Sequence, residues 1–286
     1  MEVNIGKLLK VIKLSAQIIL ENGGETYRAE ETIEFIGESF NVKEIESIAT
    51  PTGFYITISV NGEDNHTLVK RIRKRTIDLQ KINDVNNISR QLYLHSITLD
   101  QALEELEYIN NNTASDKYSL LYVGLSSGFF TLLFGGRILE FFTALFSGIL
   151  VSIMSRGFVN FHSYQFFSNT VAGAVIAFFA IAVTTLANTG NYNPIIVGGM
   201  MPLLPGLAMT NAIRDTMRGD LLSGIARAAE ALLVASSLAA GAGVVLYLAY
   251  STGILSEGGL AYAYYDFRFN LLFRSIFIFC TNNECP

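Results

Sequence analysis

The sequence predicts a membrane protein in two parts: a small α+β domain at the N-terminus, and an α-helical bundle of about five transmembrane helices. Half of the 286 residues are hydrophobic and only 16% are charged, whereas soluble chains carry about 25% charged residues. The charges are concentrated before residue 118 and almost vanish over 118–213. We therefore predict a soluble domain over 1–115, a transmembrane domain over 118–250 and an atypical tail over 251–286.

The soluble part contains two hydrophobic periods, which predict different secondary structures. Apolar residues at helical spacing from Ile5 to Ile19 are followed by Asn22-Gly23-Gly24, which is typical of a helix end. From Phe54 to Val60 apolar residues instead alternate with polar ones, as in a half-buried strand. The predicted helices cover 5–19, 26–40, 85–94 and 98–109, and the predicted strands cover 44–50, 54–60 and 66–72.

Five apolar stretches then follow, and each is expected to be helical because a membrane offers no water to unpaired backbone groups. A membrane span needs about 20 apolar residues, with a range of about 17–25. The first two stretches are at the short end of that range, and the last is long enough to tilt or protrude. The predicted spans are 118–134, 138–154, 166–187, 194–212 and 221–250.

The distribution of arginines predicts the orientation. With a cytoplasmic N-terminal domain, the inner loops hold Arg156, Arg214 and Arg218, and the outer loops hold only Arg137. The positive-inside rule favours this arrangement. In the tail, residues 262–279 are aromatic but interrupted by charges, so they make a poor sixth span and could form an interfacial helix.

The fourth apolar stretch should be kinked or interrupted. It contains Pro194, Pro202 and Pro205, with Gly206 directly after the last of them, and each proline removes a helical hydrogen bond. Transporters use broken helices to expose backbone groups to substrates and ions. A simple proline kink that improves packing explains the same residues, and the sequence leaves both interpretations open.

Charged residues at the start of the last stretch are candidates for substrate binding or coupling. Arg227 and Glu230 are three residues apart, so they share a helix face and can pair. Glu230 lies about 14 Å beyond Leu221, near the middle of a hydrocarbon core about 30 Å thick. The alternative is that the helix starts deeper in the cytoplasm and that the pair lies at its wet end. We interpret the preceding charges as a solvated loop that could also gate the cytoplasmic mouth: Arg214, Asp215, Arg218 and Asp220.

Several other chemistries find little support in the sequence. Cys280 and Cys285 have neither the His nor the Cys company of a zinc site, and we predict no metal and no cofactor. The run from Gly124 to Gly128 matches the nucleophile-elbow pattern, but its apolar context favours close helix packing. The net charge of −5 argues against a nucleic-acid partner. A membrane-bound enzyme with a catalytic or ligand-sensing N-terminal domain remains the alternative to a transporter.

Two segments resemble the threonine/serine exporter (ThrE-like) family, and the match looks closest to its split, YjjP-type subunit. One is the run from Asn22 to Glu30, and the other is Pro202-Leu203-Leu204-Pro205-Gly206. The second is followed by a set of matching residues, all polar except the glycine: Asn211, Arg214, Asp215, Gly219 and Asp220.

The resemblance implies a multi-pass exporter in a bacterial inner membrane, with small amino acids or dicarboxylates such as succinate as substrates. It also implies a smaller membrane partner subunit, for which a homo-oligomer is the alternative. Our working hypothesis is that Arg227 attracts a substrate carboxylate and that Glu230 carries a coupling proton. The remaining candidate site residues are Asn211, Asp215, Pro202, Pro205 and Gly206.

Overall fold

A computed structural model of the chain divides it into two compact units that interleave along the sequence. The residues it describes are 4–40, 42, 44–60, 64–112, 118–159 and 165–255. The first unit combines Met1–Lys117 with Leu204–Ala235, and the second combines Tyr118–Leu203 with Ser236–Pro286. The N-terminal domain therefore folds together with a later stretch that the sequence assigned to the membrane.

Within its described residues, the first unit contains a three-stranded antiparallel sheet in the order β1-β2-β3 and six helices or parts of helices. Its strands are β1 (Glu44–Thr50), β2 (Gly53–Val60) and β3 (Asp64–Arg71). Its helices are α1 (Ile5–Glu21), α2 (Thr26–Ser39), α3 (Leu79–Tyr93), α4 (Leu99–Asn111), α9 (Gly206–Met217) and the start of α10 (Leu221–Ser251).

Local signals explain most of these helix ends. Thr98 and Gln101 form a capping box at the start of α4. The N-terminus of α3 lies six residues earlier than the sequence predicts, because the Asp78 side chain accepts hydrogen bonds from the backbone N–H groups of Gln80 and Lys81. The sequence pattern missed this cap, since the first turn of α3 is mostly polar and exposed.

The core of this unit lies between the helices and one face of the sheet. Helix α1 packs against α2, α3 and α4, and the β2 side chains of Phe54, Ile56 and Ile58 are fully buried beneath them. On the opposite face, Tyr55 lies between its cross-strand neighbours Ile48 and Val69, and all three are exposed. The predicted alternation of the strand residues is therefore confirmed.

The α1–α2 connection is a compact turn that depends on two glycines. Gly23 adopts a left-handed conformation with φ of +88°, and the Gly24 N–H donates to the Ile19 carbonyl at 2.9 Å. This is the Schellman arrangement at a helix C-terminus. A Cβ atom on Gly24 would lie 2.8 Å from the Ile19 carbonyl oxygen, so the turn has no room for a side chain there.

The second unit is a helical bundle. Its helices are α5 (Ser119–Leu133), α6 (Ile138–Val159), α7 (Gln165–Leu186), α8 (Tyr192–Met200), a short 3-10 helix (Met201–Leu203) and the end of α10. Glycines bring them close together: a Cβ on Gly124 would lie 2.9 Å from the Leu145 carbonyl oxygen, and one on Gly198 would lie 2.4 Å from the Thr131 nitrogen. Close helix packing, rather than a nucleophile elbow, is confirmed for the run that begins at Gly124.

Among the described residues, three helices are long and apolar enough to cross a membrane: Ile138–Gly157, Phe166–Leu186 and Leu221–Ser251. Helices α8 and α9 add a fourth if together they form one broken span. Helix α5 is apolar but has 15 residues, about 22 Å in length. The chain is thus a mostly helical membrane protein, and its described residues contain three or four candidate spans, fewer than the five predicted.

The fourth apolar stretch is interrupted, as predicted. Helix α8 ends at Met200, the 3-10 helix contains Pro202, and α9 begins at Gly206 with Pro205 as its N-cap. The charged stretch that follows was assigned to a loop, and this was wrong for Arg214 and Asp215, because α9 continues to Met217. Arg218 and Asp220 do lie in the connection between α9 and α10, as predicted. The predicted aromatic element over 262–279 lies outside the described residues.

We expect Gly24→Ala to lower the melting temperature of the purified protein by several degrees, because the new methyl group would collide with a backbone carbonyl that cannot move away. Circular dichroism in detergent measures this change. Gly6→Ala in α1 is the matched control: its Cβ would meet only an Asn4 oxygen at 3.4 Å, and alanine is the better helix former by about 1 kcal/mol. Equal melting temperatures for the two variants would contradict the close-packed turn.

A second prediction concerns Glu30 on α2, whose Oε1 accepts a hydrogen bond from the Ala49 N–H at 2.6 Å. Burial raises the pKa of Glu30; the Ala49 hydrogen bond opposes this shift and the charge of Asp220 adds to it. A carboxyl with a raised folded-state pKa contributes stability that is present below its unfolded pKa and is lost as the pH rises through the folded pKa.

We therefore expect Glu30→Gln to lose less thermal stability than the wild type as the pH rises from about 4.5 to neutrality. Glutamine keeps the acceptor oxygen for Ala49 but cannot ionise. Glu38→Gln, an exposed position on the same helix, is the control and should follow the wild type. Parallel pH profiles of melting temperature for Glu30→Gln and the wild type would refute the role assigned to this carboxyl.

Candidate functional site

Two segments resemble the threonine/serine exporter family: the run that begins at Asn22, and the residues that follow Pro205. These two segments meet in the first unit. The turn after α1 presents the carbonyl oxygens of Gly23 and Gly24 toward α9 and the start of α10. Asn211 Nδ2 donates to the Gly23 carbonyl at 2.9 Å, and Arg227 Nη2 donates to the Gly24 carbonyl at 2.7 Å. Residues about 190 to 200 positions apart in the chain therefore form one polar cluster.

A buried ion pair lies at the centre of this cluster. Arg227 Nε is 3.0 Å from Asp215 Oδ2, and the two residues are 7% and 0% exposed. Thr26, the first residue of α2, also interacts electrostatically with the Asp215 carboxylate. The positive end of the α2 dipole thus adds to the guanidinium in stabilising this negative charge.

One polar atom of the Asn211 side chain has no hydrogen-bond partner among the described residues. The side chain is 1% exposed and its Nδ2 donates to Gly23, whereas within the described residues its Oδ1 has no hydrogen-bond donor. Buried acceptors without a donor cost about 1–3 kcal/mol, and such atoms are found where a ligand or water completes the hydrogen bonding. Asn211 therefore joins the ion pair as a group able to contact a bound molecule.

The predicted pairing of Arg227 with Glu230 was wrong, since each of these residues has another partner. Arg227 pairs with Asp215. Glu230 instead makes a two-pronged contact with Arg75, with an Nη1 to Oε2 distance of 2.9 Å and an Nη2 to Oε1 distance of 3.0 Å. No local sequence pattern indicates Arg75, which precedes α3 in the N-terminal domain, because the pair is 155 positions apart.

Two further ion pairs connect α9 to α2. Arg214 pairs with Glu25, and Arg218 pairs with Glu31 at 2.9 Å while its guanidinium lies 4.1 Å from the centroid of the Tyr27 ring. The glutamates of α2 look like solvent-facing residues in the sequence, and only the fold reveals their arginine partners. These two pairs lie around the buried cluster, and the arginine of each pair is half exposed.

The remaining predicted site residues, Pro202, Pro205 and Gly206, lie outside this cluster. Pro205 and Gly206 open α9 and so help to place Asn211 and Asp215 one and two turns later. Pro202 belongs to the second unit. Within the described part of the chain, no three His, Cys, Asp or Glu side chains come together as a metal site.

Comparisons with known proteins agree with the sequence resemblance. A family model described as a putative threonine/serine exporter matches residues 10–249. A protein of Mycobacterium tuberculosis described as a probable threonine/serine exporter is 18% identical over 254 residues, which cover 88% of this chain and 48% of that protein. The chain therefore spans about half the length of this curated relative. No solved structure matches the chain at a significant level.

We expect Arg227→Gln to destabilise the protein by about 3–5 kcal/mol, because it leaves the Asp215 carboxylate buried without a cation. Arg75→Gln removes a half-exposed pair and should cost at most about 1 kcal/mol. Unfolding in detergent measures both changes. The double variant Asp215→Asn/Arg227→Gln should recover part of the loss, and strictly additive costs would show that the two side chains do not interact.

Proposed function

Because the chain belongs to the putative threonine/serine exporter family, we propose that it is a membrane component of a secondary exporter of small amino acids in a bacterial inner membrane, with its N-terminus in the cytoplasm. The resemblance to the split type of this family supports a second component, either a smaller membrane subunit or another copy of the chain. The proposed substrate site is the buried cluster around Arg227.

The observation that carries the proposal is the buried Arg227–Asp215 pair. A free amino acid carries a carboxylate and an ammonium group a few ångströms apart. Its carboxylate matches the Arg227 guanidinium, which binds such groups with a planar fork of donors, and its ammonium matches Asp215. A zwitterion can therefore replace each partner of the pair with a group of the same charge.

The same cluster discriminates against dicarboxylates such as succinate. A dicarboxylate could pair with Arg227, but its second charge would face the Asp215 carboxylate, and like charges brought together in a buried site cost several kcal/mol. The family resemblance leaves both substrate classes open, and the charge pattern of the site favours threonine and serine.

Asn211 offers a reason for selecting hydroxyl-bearing amino acids. Its buried Oδ1 accepts no hydrogen bond from the described residues, so it can accept one from the hydroxyl of threonine or serine. Sites with a buried polar group reject analogues that lack the matching group, because the protein atom then stays unpaired. Alanine and valine are therefore expected to be poorer substrates.

Access to this site requires a movement within the first unit, because both charged side chains are buried beneath the turn at Gly23 and Gly24. The contacts that hold the N-terminal domain against α9 and α10 include two half-exposed ion pairs and the pair of Arg214 with the buried Glu25. Exposed pairs contribute about 0–1 kcal/mol each, so the two half-exposed pairs oppose such an opening movement only weakly. The N-terminal domain then serves as the cytoplasmic gate.

A ligand-sensing role of the N-terminal domain is supported by one separate feature. A groove of about 540 Å³ lies between α3 and α4 and is lined by acidic and amide side chains around Ile88 and Tyr108. A small molecule bound there would lie on the soluble domain, away from the Arg227 cluster. Such a molecule could regulate the gate without being transported.

The test of the proposed function is the efflux of threonine, serine and succinate from loaded cells, with the chain alone and with its candidate partner subunit. We expect threonine and serine efflux to fall at least tenfold in Arg227→Gln and in Asp215→Asn at equal protein levels. Asp215→Asn should also narrow the preference for threonine over succinate, because it removes the charge that repels a dicarboxylate.

Arg90→Gln, an exposed arginine of α3, is the matched control and should transport normally. Full activity of both cluster variants would refute the assignment of the substrate site. Efflux of succinate but not of amino acids would reverse the proposed substrate class. The absence of any efflux that depends on this chain would refute the exporter proposal itself.

A further inference from the structure

We infer that the loop over residues 71–79 is a docking site for anionic phospholipid headgroups at the membrane surface. The loop connects β3 to α3. It carries exposed cations at Arg71, Arg73 and Lys74, and these are followed by exposed apolar side chains at Ile77 and Leu79. The site is independent of the proposed transport function, since neither these cations nor these apolar residues belong to the Arg227 cluster.

The loop is held in a fixed shape by backbone hydrogen bonds to the rest of the unit. Ile72 N–H donates to the Thr52 carbonyl at 2.8 Å, and Thr76 N–H donates to the Glu21 carbonyl at 2.7 Å. Arg73 and Lys74 lie between these two anchors and are exposed. The cations are therefore presented from a rigid backbone rather than from a free coil.

Their charges are not neutralised within the part of the chain that the structure describes. Among the described residues, no carboxylate lies within ion-pair distance of Arg71, Arg73 or Lys74. Arg75 differs from them, because both of its terminal nitrogens contact Glu230 of α10. Three cations thus face outward while a fourth ties the loop to a candidate membrane helix.

The apolar side chains beside these cations indicate a lipid surface rather than another polyanion. Ile77 is 69% exposed and Leu79 is 60% exposed. Cations that border large apolar side chains are typical of protein segments that lie at the boundary between headgroups and acyl chains. Nucleic acid would match the charges of the loop but not its two aliphatic groups.

The length of α10 allows the loop to lie at the level of the headgroups. Removal of the ten residues up to Glu230 from the 31 residues of α10 leaves 21, about 31 Å of helix. The hydrocarbon core is about 30 Å thick, so the remaining part alone crosses it. Glu230 and its partner Arg75 then mark the edge of the hydrocarbon, where acidic headgroups attract basic segments.

The test uses the full chain in nanodiscs and exploits its lack of tryptophan. Ile77→Trp introduces a single tryptophan into the loop, and Tyr55→Trp introduces one on the exposed face of the sheet as the position control. Phospholipids with brominated acyl chains quench tryptophan that reaches them. The nanodiscs contain phosphatidylcholine alone or a mixture with phosphatidylglycerol.

We expect bromolipids to quench Ile77→Trp at least twice as strongly in the anionic nanodiscs as in the neutral ones, and Tyr55→Trp to be quenched in neither. Adding Arg73→Gln and Lys74→Gln should lower the quenching of Ile77→Trp at least twofold. Adding Lys10→Gln and Arg90→Gln, which remove two exposed cations elsewhere, should leave it unchanged.

Three outcomes would overturn the inference. One is an unquenched Ile77→Trp in anionic nanodiscs, which would place the loop away from the lipid. Another is equal quenching in neutral and anionic nanodiscs, and the third is quenching that survives the removal of Arg73 and Lys74. None of these measurements depends on transport, so they remain interpretable whether or not the chain exports amino acids.

Discussion

A buried guanidinium is the constraint on which the first unit depends. Arg227 is 7% exposed, and an unpaired charge at that depth would cost several kcal/mol. Its compensation comes from two distant parts of the chain: the Asp215 carboxylate on α9, 3.0 Å away, and the Gly24 carbonyl in the turn after α1, 2.7 Å away. The Arg227–Asp215 pair therefore stays buried only while the turn after α1 packs on α9 and the start of α10. That requirement explains why the stretch Leu204–Ala235, which begins within the fourth apolar segment, belongs to the same compact unit as the N-terminus.

The unusual length of α10 follows from the same constraint. A helix that only crossed the membrane would need about 20 residues, whereas α10 has 31. The additional residues at its start carry Arg227 and Glu230, and each of them is paired with a residue of the first unit. Because the remaining part is long enough to cross the hydrocarbon, neither charge has to enter it. Of the two interpretations that the sequence leaves open, the length of α10 allows the one in which the helix starts outside the membrane.

The sequence is sufficient to predict those features that depend on local periodicity. The alternation around Phe54, the Gly23-Gly24 turn and the break before Gly206 all follow from chain chemistry, and the structure confirms each of them. The ion pairs, in contrast, do not depend on local periodicity. Whether Arg227 pairs with Glu230 on its own helix or with Asp215 depends on how α9 folds back onto the N-terminal domain, and no local pattern contains that information. A family resemblance identified both halves of the cluster, but only the fold shows that they contact each other.

Under the proposed function, the internal ion pair also limits which ligands can shift the protein between the closed state and an open state in which the substrate site is accessible. A ligand changes such an equilibrium only by the difference between its affinities for the two states. In the closed state Asp215 neutralises Arg227, so opening the site separates two buried charges. A zwitterion returns an opposite charge to each of them, and the number of unpaired charges is the same before and after binding. A dicarboxylate leaves Asp215 unpaired and adds a further negative charge beside it. The energetic advantage of an amino acid therefore arises from the closed state of the protein itself, without any additional contact to the substrate side chain.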